Sequence, residues 1–300
     1  MNRYIFHPLK WSKSFLVRPI KTINWIKEDI RKDLSFKKFN SPYHKVWCAG
    51  LPKSGTTLIE KIIDILPYVK LNNSFLRVYH QGELDHGHGI SDYMFQNIKN
   101  DKYTFLKTHT HYEKKYEDIA HRHNLKIIIS MRDLRDMLIS RYFHILSDKD
   151  HWLHKTIKDL DFTEGFINSI KAKSDKDSPN ALNYYYYWIL NWSKVAKTTK
   201  LLTLWYEDYK KDPNDYINKI LKYLVFKEFS SQEIEKKLIK GRKKNTSLSN
   251  SLKKYGRSRD TFRKGEVGEW KKYFNQKITD YFNSNIPEPI ENITYENLKI

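Results

Sequence analysis

The chain has almost no cysteine: Cys48 is the only one in 300 residues. An intramolecular disulfide is therefore excluded, as is a zinc site built from two or four cysteines. Long apolar runs are missing too, and none reaches the length that spans a bilayer. The first residues lack the unbroken apolar core of a signal peptide, so a cytoplasmic soluble enzyme is the expectation. No internal repeat and no domain linker interrupts the chain. Acidic residues fall short of basic ones, 35 against 55, which leaves a net charge of +20. That surplus points to an anionic partner, whether nucleic acid, an acidic membrane surface, or an acidic small molecule or glycan.

What is present suits one sizeable globular domain. Hydrophobic residues make up 39% and aromatic residues 15%, enough for a packed core. Residues 1–44 are basic and aromatic, with Leu16, Ile20, Ile23 and Ile30 at helical spacing. The pattern reads as an N-terminal helix packed on the domain. The alternative is an interfacial helix, with residues 1–40 leaning on an anionic membrane. Asp85-His86-Gly87-His88-Gly89 reads as a loop near a cleft, because two histidines one residue apart make a weak metal signal.

Lys45 to Gly50, Tyr103 to Thr108, Leu125 to Ser130 and Lys200 to Tyr206 read as strands, the third a continuous apolar run of the kind buried on both faces. Helices are expected at Asp133–Leu146, Leu182–Val195, Pro213–Leu224 and Ser231–Ile239. Residues 147–180 read as polar, with a loop at Asp175–Pro179. The four tyrosines at 184–187 read as part of a packed helix with some rings at the surface. Strands alternating with helices predict an α/β fold with a mainly parallel central sheet flanked by helices, and ligands beyond the carboxyl ends of the strands.

One stretch organises the rest. Lys45 to Leu58 reads as a short apolar strand, a tight loop and the first turn of a helix. Such a loop aims backbone N–H groups and the positive end of a helix at one spot, which suits an anion, most often a phosphate. From Gly50 to Thr57 the pattern is G-x-x-x-x-G-T-T, a Walker A sequence with Thr56 in place of the lysine. The cation has moved into the loop, to Lys53.

Pro52-Lys53-Ser54-Gly55-Thr56-Thr57 resembles the 5′-phosphosulfate loop of the sulfotransferases that use 3′-phosphoadenosine-5′-phosphosulfate (PAPS). Further motifs follow in the family's order. Lys107-Thr108-His109 is similar to its K-T-H. Arg132 to Ser140 is similar to its 3′-phosphate motif R-x-x-x-D-x-x-x-S. Tyr206-Glu207-Asp208 is similar to its Y-E-D, and Thr246-Ser247-Leu248 to its T-S-F. Arg263-Lys264-Gly265-Glu266-Val267-Gly268-Glu269-Trp270 closely resembles its R-K-G-x-x-G-x-W. The resemblance spans about residues 46 to 275. It implies a P-loop-like three-layer fold, with a basic helical extension at 1–44 before a sulfotransferase domain at 45–300.

The resemblance also implies roles. The loop holds the 5′-end through backbone N–H groups and the hydroxyls of Ser54, Thr56 and Thr57, with Gly55 at the turn. Lys53 stabilises the leaving oxygen, where charge appears only as the S–O bond breaks. His109 is the general base and Lys107 adds positive charge around the sulfuryl oxygens, so no metal ion is required. Arg132, Ser140, Arg263, Lys264 and Gly265 hold the 3′-phosphate. Asp136 is a hydrogen-bond or ion-pair partner rather than a ligand, and Tyr206 and Thr246 lie near the adenine. Leu58 stands where many animal cytosolic members carry an adenine-stacking tryptophan, and Leu248 where they carry phenylalanine. The family's dimerisation motif is not recognisable in Lys271 to Phe282.

The acceptor carries no signature, which leaves a small molecule, a lipid or a glycan. Two rivals remain. A P-loop small-molecule kinase shares the loop, but lacks the Walker lysine and an obvious magnesium-binding aspartate at a strand end. A nucleic-acid-binding protein rests on charge and aromatics alone, without a recognisable module, so no nucleic-acid partner is expected.

Overall fold

The computed structural model describes residues 45–66, 69–71, 90–92, 95, 103–173, 176, 178–226, 229–241 and 264–298. The N-terminal extension at 1–44, the loop at 85–89, Thr246, Leu248 and Arg263 lie outside the described residues.

Five strands form one sheet in the order β2-β3-β1-β4-β5, and every pairing is parallel. They are β1 (Lys45–Gly50), β2 (Val69–Leu71), β3 (Tyr103–Thr108), β4 (Leu125–Met131) and β5 (Leu202–Trp205). Strand β2 falls in a stretch with no strand signal of its own. The helices are α1 (Thr56–Ile65), α2 (Lys115–Arg122), α3 (Leu134–Ser147), α4 (His154–Ile157), α5 (Phe162–Lys171), α6 (Ala181–Ala196), α7 (Tyr206–Lys211), α8 (Pro213–Tyr223), α9 (231–241), α10 (Gln276–Asn285) and α11 (Tyr295–Leu298). No helix among the described residues is long and apolar enough to cross a membrane.

Side chains alternate across the pleat of β1 and divide the core in two. Trp47 and Ala49 enter a cluster with residues of α2, α3, α5, α6 and α10. Val46 and Cys48 enter a second with α1, α8 and α9. The sheet is thus the middle of three layers, as the parallel pattern predicts. Burial pushes the Cys48 thiol up to about 12, which makes it a small apolar core residue.

Local chemistry starts the helices where the strands stop. Asp133 caps α3 by accepting from the Arg135 N–H, and Asp212 caps α8 ahead of Pro213. Asn180 caps α6, on which Tyr186 is fully buried and Tyr187 is 42% exposed. Helices α4 and α5 occupy part of the polar stretch after residue 147. Gly165 sits inside α5 because a Cβ there would lie 2.7 Å from the Tyr142 hydroxyl. Helix α5 contributes Phe166 and Ile170 to the larger core cluster.

Candidate functional site

Parallel pairing brings the carboxyl ends of four strands to one edge. Register sets Ala49 beside Thr108, Gly50 beside Ser130, and Met131 beside Trp205. The residues that follow these strands are the loop with Lys53, then His109, Arg132 and Tyr206.

The loop is held from below. Ser54 is fully buried, and its hydroxyl lies 2.6 Å from the Leu51 carbonyl and 2.9 Å from both the carbonyl and the hydroxyl of Ser130. The side chain of Ser54 therefore staples the loop to β4 and faces away from the loop's outer surface. Thr56 is buried in the first turn of α1, whereas Thr57 is exposed. Lys53 has φ 63 and Gly55 φ 96, both in the left-handed region. For lysine that conformation carries strain, and it is sustained by its surroundings. The Lys53 carbonyl accepts from Arg132 Nη1 at 3.2 Å. Gly55 lies under the Tyr206 ring, where a Cβ would come within 2.9 Å. Gly50 has no room for one either, since a Cβ there would stand 1.9 Å from Thr56 Cγ2.

His109 follows β3 with Nδ1 2.6 Å from the Gly50 carbonyl oxygen. A carbonyl only accepts, so Nδ1 carries the proton of the neutral ring and Nε2 carries the lone pair. Three buried tryptophans fix the residues on either side. Trp47 donates to Thr108 Oγ1 at 2.9 Å, and Trp188 and Trp192 both donate to the Thr110 carbonyl, at 2.9 and 3.1 Å. His111 lies apart, edge-on to Tyr184, with burial lowering its pKa. Lys107 forms an ion pair with Glu60 of α1, one turn beyond the loop.

Arg132 is buried between the loop and the segment at 265–270. Its Nη2 donates to the Glu266 carbonyl at 2.7 Å, and its guanidinium lies 4.9 Å from the centre of the Tyr206 ring. The Tyr206 hydroxyl donates to the Gly265 carbonyl at 3.1 Å. Asp136 accepts from the N–H groups of Gly268 and Trp270 at 2.6 and 2.9 Å, as expected of a structural partner. Lys264 is exposed and lies 3.6 Å from Glu269, while Ser140 is half-buried two turns into α3. Glu207 is 6% exposed; one carboxyl oxygen accepts from the Asp133 N–H at 3.0 Å, and the other has no hydrogen-bond partner among the described residues.

Sequence reasoning missed the inward turn of Ser54, the Glu60 partner of Lys107, and the three tryptophans around His109. Each depends on residues far apart in the chain, and none leaves a local pattern. Among the described residues no group of three or more His, Cys, Asp or Glu is placed to hold a metal ion.

Residues 43–294 match the family model described as Sulfotransferase domain. The chain therefore belongs to the sulfotransferase family, whose enzymes form the PAPS-dependent class. Among its relatives is a flavonol 3-sulfotransferase of Flaveria bidentis, 26% identical over 86% of this chain and 85% of that protein. Sulfotransferase 1C2 of Homo sapiens is 21% identical over 91% of this chain and 90% of its own. A crystal structure of mouse sulfotransferase SULT7A1 complexed with PAP shares the fold, with a TM-score of 0.54 and 18% identity over 88% of each chain.

Two stability predictions follow from the site's packing. Burial pushes the Glu207 carboxyl up to about 7 from its ordinary 4.5, so the folded chain holds that proton more tightly than the unfolded one. The stability this contributes is complete below pH 4.5 and is lost as pH rises through about 7. Relative to Glu207→Gln, which keeps the bond to Asp133, the native chain should lose about 3 kcal/mol between roughly pH 5 and pH 8. Urea titrations across that range read the difference, and parallel curves would refute it. Gly50→Ala should cost about 1–3 kcal/mol by overpacking, with much of it recovered when Thr56→Ser removes the opposing methyl. Additive losses in the double variant would contradict that contact.

Proposed function

We propose that this protein transfers the sulfuryl group of PAPS to a hydroxyl, or an amine, of a small-molecule acceptor. The observation that carries the reading is the convergence at one sheet edge of a strained anion-type loop, an oriented histidine and a buried arginine. Membership of the sulfotransferase family supports it.

In this reading the acceptor oxygen attacks sulfur as its proton passes to Nε2 of His109. The bond between sulfur and the bridging oxygen breaks, and adenosine 3′,5′-bisphosphate leaves. Lys53 stabilises the charge that gathers on the leaving oxygen. Lys107 adds positive charge near the sulfuryl oxygens, tempered by its ion pair with Glu60. Backbone N–H groups of Gly55, Thr56 and Thr57 hold the 5′-end, while Ser54 acts from beneath by fixing the loop. Arg132, Ser140, Arg263, Lys264 and Gly265 take the 3′-phosphate, with Tyr206 and Thr246 toward the adenine.

The chain then divides into a basic extension at 1–44 and a sulfotransferase domain at 45–300, in a cytoplasmic enzyme. A relative named for flavonol sulfation favours an aromatic hydroxyl as acceptor. Labelled PAPS offered with flavonols, simple phenols, lipids and glycans identifies it by product.

Adenosine 3′,5′-bisphosphate should bind well ahead of ATP-Mg in titration calorimetry. Preference for ATP-Mg would overturn the reading in favour of a kinase. With the acceptor in hand, His109→Ala should lower kcat by about 100-fold or more. Its affinity for the bisphosphate should stay within about twofold, since the base touches the acceptor rather than the nucleotide. An active His109→Ala enzyme would remove the histidine from the role of base.

A further inference from the structure

The segment at 265–270 reaches the site from the far end of the chain, and a single carboxylate fastens it. Glu269–Lys272 form a short 3-10 helix, entered through Gly268 at φ 74. The first N–H groups of such a helix have no partner within it. Asp136, from the first turn of α3 and 1% exposed, supplies one: Oδ2 takes the Gly268 N–H and Oδ1 the Trp270 N–H. Asp136 Oδ2 also lies 3.9 Å from Arg132 Nη2. That same Nη2 donates to the Glu266 carbonyl, so a ring of contacts closes through Arg132, Glu266, Gly268 and Asp136. The segment is gripped once more at its far end, where the Arg135 guanidinium lies 3.9 Å from the Trp270 ring centre.

We infer that Asp136 is a positioning residue for donor selection: by joining the 265–270 segment to Arg132, it sets the preference for a nucleotide that carries a 3′-phosphate. The inference rests on the proposed PAPS reading and deepens it. The physical reason is geometric. In the proposed reading the 3′-phosphate takes donors from two separate parts of the chain, the start of α3 and the C-terminal segment, which must be held at fixed spacing. Asp136 is the group that contacts both, accepting from Gly268 and Trp270 and lying 3.9 Å from Arg132. The 5′-end is held by the loop between β1 and α1, which Asp136 does not touch.

Asp136→Asn keeps the shape of the side chain but leaves one acceptor for two N–H groups and sets an amide against the other. Calorimetric titration of the full chain should show the Kd for adenosine 3′,5′-bisphosphate rising about tenfold. The Kd for adenosine 5′-phosphate should change by less than about twofold, because its phosphate is assigned to the loop and Asp136 contacts neither the loop nor Tyr206 directly. A purely structural role would weaken both ligands alike, so equal losses, or no loss, overturn the inference. Native protein that binds both nucleotides equally overturns the proposed function instead. Should Asp136→Asn fail to fold, Arg135→Gln reports on the same segment through Trp270. It should weaken the bisphosphate about threefold and leave the 5′-phosphate unchanged. An unaltered ratio in that variant refutes the role given to the segment.

Discussion

Parallel pairing is the constraint on which this molecule depends. Strands that run the same way finish on the same edge, and the register here sets Ala49 level with Thr108 and Ile129, and Gly50 level with Ser130. Because β1 lies between β3 and β4, the loop after it opens between the ends of both neighbours. His109 can then reach the Gly50 carbonyl, and Arg132 the Lys53 carbonyl, without any long excursion of the chain. The site is a consequence of strand order.

A buried guanidinium comes next in importance. A desolvated cation is costly unless its donors are satisfied and its charge is countered. Although its Nε has no hydrogen-bond partner among the described residues, Arg132 meets most of this demand with two backbone carbonyls, the face of Tyr206 and the carboxylate of Asp136. Each of these belongs to a different part of the chain, so the loop, α3, α7 and the C-terminal segment are organised around one side chain. Tyr206 spans the same group, with its ring on Gly55 and its hydroxyl on the Gly265 carbonyl.

Features governed by local chemistry were legible in the sequence. The apolar runs of β1 and β4, the helix that starts beside Asp133 and the proline at the start of α8 each depend on a few residues, and each stands where its pattern predicts. Features governed by distant contacts were not legible. Nothing near Thr110 announces that two indoles from α6 will meet its carbonyl. Ser54 sits in a motif of apparent ligands, and only the nearness of Ser130 turns its hydroxyl inward. Helix α5 is obscured by Gly165, a poor helix former retained because the Tyr142 hydroxyl leaves no room for a larger residue. Strand β2 is three residues long, too short for periodicity to declare it.

Cys48 carries a consequence of another kind. It is the only thiol in the chain, fully enclosed in the central strand between two neighbours. A labelling reagent reaches it only when the layer of α1, α8 and α9 lifts from the sheet, not when a loop frays. The molecule thus contains its own reporter of core opening, silent to local motion of the loop between β1 and α1 and requiring no engineered probe.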